Sequence, residues 1–195
     1  MKRSHPIPIL APALLLAAAC GAAARMPIDI RHAEPLGDPD APTVVVVFSD
    51  FQCPHCKRAA FELRRLAGEH PGRVVAYFKH FPLSYHPFAK DAARAAEAAR
   101  LQGAFWEMHD LIFAHSGELT GDISPKLAKA AGHDVGRYER DLRSPGAAAR
   151  VAADVAEGDA LGVDSTPYFF VDGIPFEGSW RTLLNRLSRR AGGDG

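Results

Sequence analysis

The chain has 195 residues, room for one domain with a sizeable insertion, and its 47% hydrophobic and 24% charged residues are the balance of an ordinary globular protein. The 23 Lys+Arg offset the 23 Asp+Glu, which excludes a dedicated basic nucleic-acid binder and points to no polyanionic partner. Only three cysteines are present, too few for a disulfide framework.

Lys2 and Arg3 precede an apolar run over residues 9–19, and small residues follow to Ala24. A basic head, a short apolar stretch and a small-residue exit predict a secretory signal over residues 1–24, too short for a membrane span. Leu16-Ala17-Ala18-Ala19-Cys20-Gly21 resembles a bacterial lipoprotein box, with Ala17 where such boxes usually carry leucine; cleavage after Ala24 would instead discard Cys20. Both fates of Cys20 stay open, and in neither does it join the other two cysteines.

Residues 25–42 are dotted with Pro35, Pro39 and Pro42 and predict an extended lead-in or edge strand. Thr43-Val44-Val45-Val46-Val47-Phe48 is a continuous β-branched run, the pattern of a strand buried on both faces. From Pro54, Ala59, Leu63 and Leu66 recur at helical spacing up to Gly68 and Gly72, and Arg73–Phe78 predicts a second buried strand. Strand, turn, helix, strand is the right-handed crossover of a parallel sheet. Residues 85–162 change character. Phe88, Ala92, Ala95, Ala96 and Ala99 form one helical stripe, Phe105, Met108, Leu111 and Ile112 another, and further helices are expected over 124–131, 135–142 and 146–161. Tyr168–Val171 returns to strand, Asp172-Gly173 is a hairpin signal, and a last helix covers Leu183, Leu184 and Leu187.

The chemistry concentrates at Cys53-Pro54-His55-Cys56, where the first strand meets a helix. Thiol–disulfide exchange needs one accessible thiolate and a second thiol near enough to close the ring. A helix starting at Pro54 puts Cys53 at its exposed edge, where free N–H groups and the dipole favour a thiolate, and turns Cys56 toward the domain body. Pro54 suits the first turn because it has no N–H to lose, and a protonated His55 would lower the neighbouring thiol further. Zinc would need two more suitably spaced ligands, and the histidines are scattered. Far along the chain, Ser165-Thr166-Pro167-Tyr168 opens the returning strand, where an X-Pro bond can be cis or can belong to an ordinary turn.

Together, Phe48-Ser49-Asp50-Phe51-Gln52-Cys53-Pro54-His55-Cys56 and Ser165-Thr166-Pro167-Tyr168-Phe169-Phe170-Val171-Asp172-Gly173 resemble the two hallmark segments of the bacterial DsbA-type thiol–disulfide oxidoreductases. Gln102-Gly103-Ala104-Phe105-Trp106 is similar to the usual pattern of that family's insertion. The resemblance implies an α/β thioredoxin fold, residues 25–84 and 163–190, split by a helical subdomain over 85–162. It implies Cys53 as nucleophile, Cys56 as resolving thiol, His55 as thiolate stabiliser beside Pro54, Pro167 as a cis-proline facing the disulfide, and Thr166 as a backbone contact for substrate. It further implies a place in the periplasm or cell envelope, exported thiol proteins as substrates, a membrane redox partner for recycling, and neither metal nor cofactor. Two departures stand out. Where related enzymes often carry a buried acid six residues before the nucleophile, this chain has Val47, so proton handling falls to water or another group; Asp50 is a candidate, or else a solvated turn acid. Thr166 stands where the best-known oxidase has valine and several reductases and isomerases have threonine, which keeps a reductase or isomerase open. From another class, a thioredoxin-fold lipoprotein could use the pair to bind a partner or metal. Phe51 and Tyr168 are expected on an exposed peptide-binding surface; His80, His86, His109 and His115 are assigned no role.

Overall fold

The computed structural model describes residues 25–120 and 123–193; the expected signal segment and Cys20 lie outside them. Strand β1 (Thr43–Ser49) is buried at every residue but Val44. Its pleat sends Val45 and Val47 to one face and Val46 and Phe48 to the other, and each pair enters a separate hydrophobic cluster. Helix α1 (Pro54–Glu69) carries the chain over to β2 (Val74–His80), which runs parallel to β1 in the register Thr43↔Val74 to Ser49↔His80.

Five helices follow in chain order: α2 (Ala89–Arg100), α3 (Phe105–Ala114), α4 (Ile123–Ala130), α5 (Val135–Leu142) and α6 (Pro145–Ala160). The starts of α5 and α6 are set by Asp134 and Ser144, whose side chains accept from the N–H groups of Arg137 and Ala147. Helix α2 departs from the single expected stripe. Ala89, Ala92, Ala93, Ala95, Ala96, Ala98 and Ala99 are all buried, because methyl side chains let α3, α5 and α6 approach it from several sides.

The sheet resumes with β3 (Tyr168–Val171), antiparallel to β1 with Val47 opposite Phe169, and β4 (Ile174–Pro175). Their turn is Asp172-Gly173, with φ of 52° and 78°, the two positive values a type I′ hairpin requires. The strand order β2-β1-β3-β4 with one parallel and two antiparallel pairings, and helix α7 (Trp180–Gly192) packed on α1, is a thioredoxin-like fold. The lead-in forms no edge strand. It makes one antiparallel bridge, Leu36 to Ala76, at a point where Gly37 has φ of 103° and an added Cβ would lie 2.6 Å from the Val74 carbonyl.

Helix α6 reaches the second face of the sheet. A Cβ at Gly158 would lie 2.7 Å from the Phe81 ring, so glycine there permits the close approach. Beside it, Lys79 is fully buried, with its Nζ 3.0 Å from Asp154 Oδ1 and 2.7 Å from Glu157 Oε2. Arg150 also pairs with Asp154, and Glu157 Oε1 accepts from the Asp29 N–H at 2.6 Å. On the opposite face His80 Nε2 meets Glu97 Oε1 at 3.0 Å. Among the described residues, no helix is long and apolar enough to cross a membrane.

Candidate active site

Strand β1 ends at Ser49, and the next four residues turn into α1. The Cys53 N–H closes the turn on the Asp50 carbonyl at 3.1 Å. The Asp50 carboxylate is buried rather than solvated, which removes the expectation of a water-facing turn acid. It accepts from the Gln52 N–H at 2.6 Å, the Leu83 N–H at 2.7 Å and faces His86 Nδ1 at 2.8 Å. Gln52 in turn accepts from the Phe88 N–H at 2.6 Å. The redox turn is thereby buckled to residues 83–88.

Phe51 contradicts the expectation of an exposed aromatic. It is 1% exposed, stacked on Phe78 at 5.2 Å and tilted against Phe113 at 4.8 Å, because the turn aims it between β2 and α3 into the first hydrophobic cluster. Tyr168 is half-buried against Phe170 at 5.3 Å.

Cys53 is the N-cap residue of α1, and Pro54 occupies the first turn. Its thiol is lowered to about 5 by the hydrogen bond from the Cys56 thiol first, and by the backbone N–H groups of Cys56 and His55, which together outweigh burial. The helix-end N–H groups of Cys56 and His55 thus add to what the Cys56 thiol supplies, and the His55 side chain is exposed. Cys53 itself is only 6% exposed, less than its place at a helix edge suggests. The cover comes from the other hallmark segment. Thr166-Pro167 is a cis peptide, and the Thr166 carbonyl lies 3.5 Å from Cys53 Sγ. Cys56 is 1% exposed, and its thiol is pushed well up, by burial first and then by Cys53. The Asp50 N–H points at its sulfur from 3.5 Å. Both cysteines are free thiols.

The structure thus brings Cys53, Cys56, Thr166 and Pro167 together, with Pro54 and His55 on the surface beside them. The Asp50 tie and the burial of Phe51 and His109 escape sequence reading; a signal lay in Asp50 and Phe51 flanking the motif, but no spacing rule says which face a turn residue takes. Of the histidines, His80 faces Glu97, His86 faces Asp50, His109 faces Asp110 and His115 faces the Leu111 carbonyl. Among the described residues, no group of three or more His, Cys, Asp or Glu stands together as a metal site.

Two free thiols at a strand-to-helix junction beneath a cis-proline define the class of thioredoxin-like redox proteins. The chain belongs to the thioredoxin family, whose model matches residues 32–184. A thioredoxin-like oxidoreductase from Silicibacter pomeroyi is 30% identical with a TM-score of 0.71, over 82% of this chain and 92% of that one. Pseudomonas aeruginosa DsbA2 is 27% identical with a TM-score of 0.65, over 77% of this chain and 90% of that one. Among curated proteins, a Na(+)/H(+) antiporter NhaA 1 of Mycolicibacterium gilvum is 38% identical over 157 residues, 79% of this chain. The chain spans about a quarter of that relative's length, 25%. The fold is that of the DsbA-type thiol–disulfide oxidoreductases.

Proposed function

We propose that the protein is a thiol–disulfide oxidoreductase that passes a Cys53–Cys56 disulfide to thiol-containing exported proteins. The observation that carries the reading is the divergence of two neighbouring thiols: Cys53 lowered to about 5, Cys56 raised and buried behind it. A substrate thiolate attacks Cys53, the ring bond breaks, and Cys56 leaves and takes up a proton. The substrate's second thiol then attacks the mixed disulfide and expels Cys53, a good leaving group because its thiolate is stable. The same stabilisation favours the reduced protein, which makes the disulfide an oxidant. Pro54 and His55 form the exposed rim, and Thr166 and Pro167 offer backbone beside Cys53 to an extended substrate chain. On this reading, residues 25–84 and 163–190 are the thioredoxin unit, 85–162 an inserted helical subdomain, and 1–24 an export or lipoprotein signal. The protein works in the periplasm or cell envelope and is reoxidised by a membrane redox partner.

The test is the equilibrium reduction potential of the pair against glutathione, with Cys53→Ser as blank. A value near about −120 mV is expected for a disulfide donor. A value near about −270 mV would withdraw the oxidase reading in favour of a reductase, the role several relatives with threonine before the cis-proline perform.

A further inference from the structure

The Cys56 thiol has no acid or base bonded to it: Val47 stands where an acid would serve, every hydrogen bond of the Asp50 carboxylate goes to the turn and to residues 83–86, and the side chain that does bond the thiol is the Ser49 hydroxyl. A narrow cleft of about 10 Å³, room for one water, opens beside Cys56; its walls are mostly apolar, Val47, Leu63, Phe78 and Trp106 among them, and Ser49, Cys56 and His109 are its polar groups. His109 is 2% exposed and held edge-on among aromatic rings, 4.7 Å from Trp106, 5.0 Å from Phe78 and 4.9 Å from Phe113. Its Nδ1 lies 2.8 Å from Asp110 Oδ1, and Asp110 Oδ2 pairs with Arg64 Nε of α1 at 2.6 Å. A carboxylate on Nδ1–H fixes the tautomer and leaves Nε2 as the acceptor.

We propose that His109, oriented by Asp110 and Arg64, accepts and returns the Cys56 proton through one water in this cleft. The proposal rests on the reading of Cys53 and Cys56 as an exchange centre. When Cys53 holds a mixed disulfide, the Cys56 proton passes to the water as the water gives one to Nε2. The Cys56 sulfur attacks the Cys53 sulfur, the ring bond forms, and the bond from Cys53 to the partner breaks, the partner leaving as a thiolate with the electron pair. In the opposite direction the ring first takes a proton at Nε2 from solvent and then gives it through the water to Cys56 as Cys56 is expelled with the electron pair. The charged and titratable groups around the ring are Asp110, Arg64 and, from β2, His80. Burial holds the imidazole below its ordinary range against the pull of Asp110, so the ring is neutral at neutral pH and carries the extra proton only in passing. His109 acts through water and is a positioning and proton-relay residue rather than one that touches the reacting sulfurs.

The test mixes reduced protein with excess dithiobis(nitrobenzoate). One coloured thiolate is released when Cys53 attacks the reagent and a second when Cys56 displaces the first adduct, so the two steps are read as two phases across pH. In His109→Phe the first phase should keep its rate while the second slows about 100-fold, the lower end of what a positioned base contributes. Asp110→Asn should slow the second phase less and shift its pH profile. Should His109→Phe fail to fold, Asp110→Asn alone decides, because its side chain is at the surface edge, 34% exposed. The proposal is overturned if the second phase keeps its wild-type rate and pH profile, or if both phases slow together. A wild-type protein that shows no first phase would overturn the exchange reading itself, a distinct result.

Discussion

Cys53 and Cys56 are the same residue type one helical turn apart, and the fold drives their thiols in opposite directions. Cys53 receives hydrogen bonds at a helix end, while Cys56 is sealed behind it with its charged form disfavoured. Alkylation of reduced protein by iodoacetamide should therefore follow a titration with a midpoint near pH 5 and modify Cys53 alone. A midpoint near 9 would mean that neither the Cys56 thiol nor the helix end stabilises the thiolate. Stability follows with a definite sign. A thiol lowered from 9.0 to about 5 by folding stabilises the reduced fold as pH rises above about 5, and that gain is lost as pH falls through 5. Cys56, raised by folding, acts the other way only above its ordinary range. Between about pH 5 and 8, reduced wild type should gain on Cys53→Ser in urea unfolding, at a slope below about 1.4 kcal/mol per pH unit. At this scale the sequence was only half legible. Cys-Pro-His-Cys after a buried strand marks the chemistry by itself, but the burial of Phe51 and the place of His109 depend on α3 arriving more than fifty residues later. No local spacing encodes that.

Elements were more legible, because each depends on periodicity that neighbouring residues carry. The unbroken Val44–Val47 run could only be a strand covered on both faces, whereas Ser144-Pro145-Gly146, which reads as a break between helices, caps and opens α6. What periodicity does not report is how near two elements come. Gly158 is the clearest instance: as a residue inside α6 it looks like a weakness, and only the Phe81 ring explains it. In an open helix Gly→Ala gains up to about 1 kcal/mol. Here Gly158→Ala should instead lose about 1 kcal/mol, since overpacking a buried contact costs about 1–3 kcal/mol. Thermal unfolding checks this, and a stabilised variant would show that α6 slides without cost.

For the whole molecule, the buried Lys79 is the joint between sheet, α6 and the N-terminal lead-in: it is a β2 residue, its partners Asp154 and Glu157 are α6 residues, and Glu157 holds the Asp29 N–H. Lys79→Met leaves two carboxylates near one remaining cation, Arg150, and should cost about 3 kcal/mol or more. Arg65→Ala, which removes surface pairs to Glu62 and Glu69, should cost under about 1 kcal/mol. Equal losses in the two variants would remove the joint from the account. The lead-in also gives the molecule a direction. Its Met26 N–H is bound to the Gly173 carbonyl at 2.7 Å, in the hairpin beside the start of β1, whereas the cysteines follow the end of that strand. Seven residues of strand, about 20 Å, separate the two ends. Arg25 therefore stands at the pole of the sheet opposite the thiols, a full strand's length away from them.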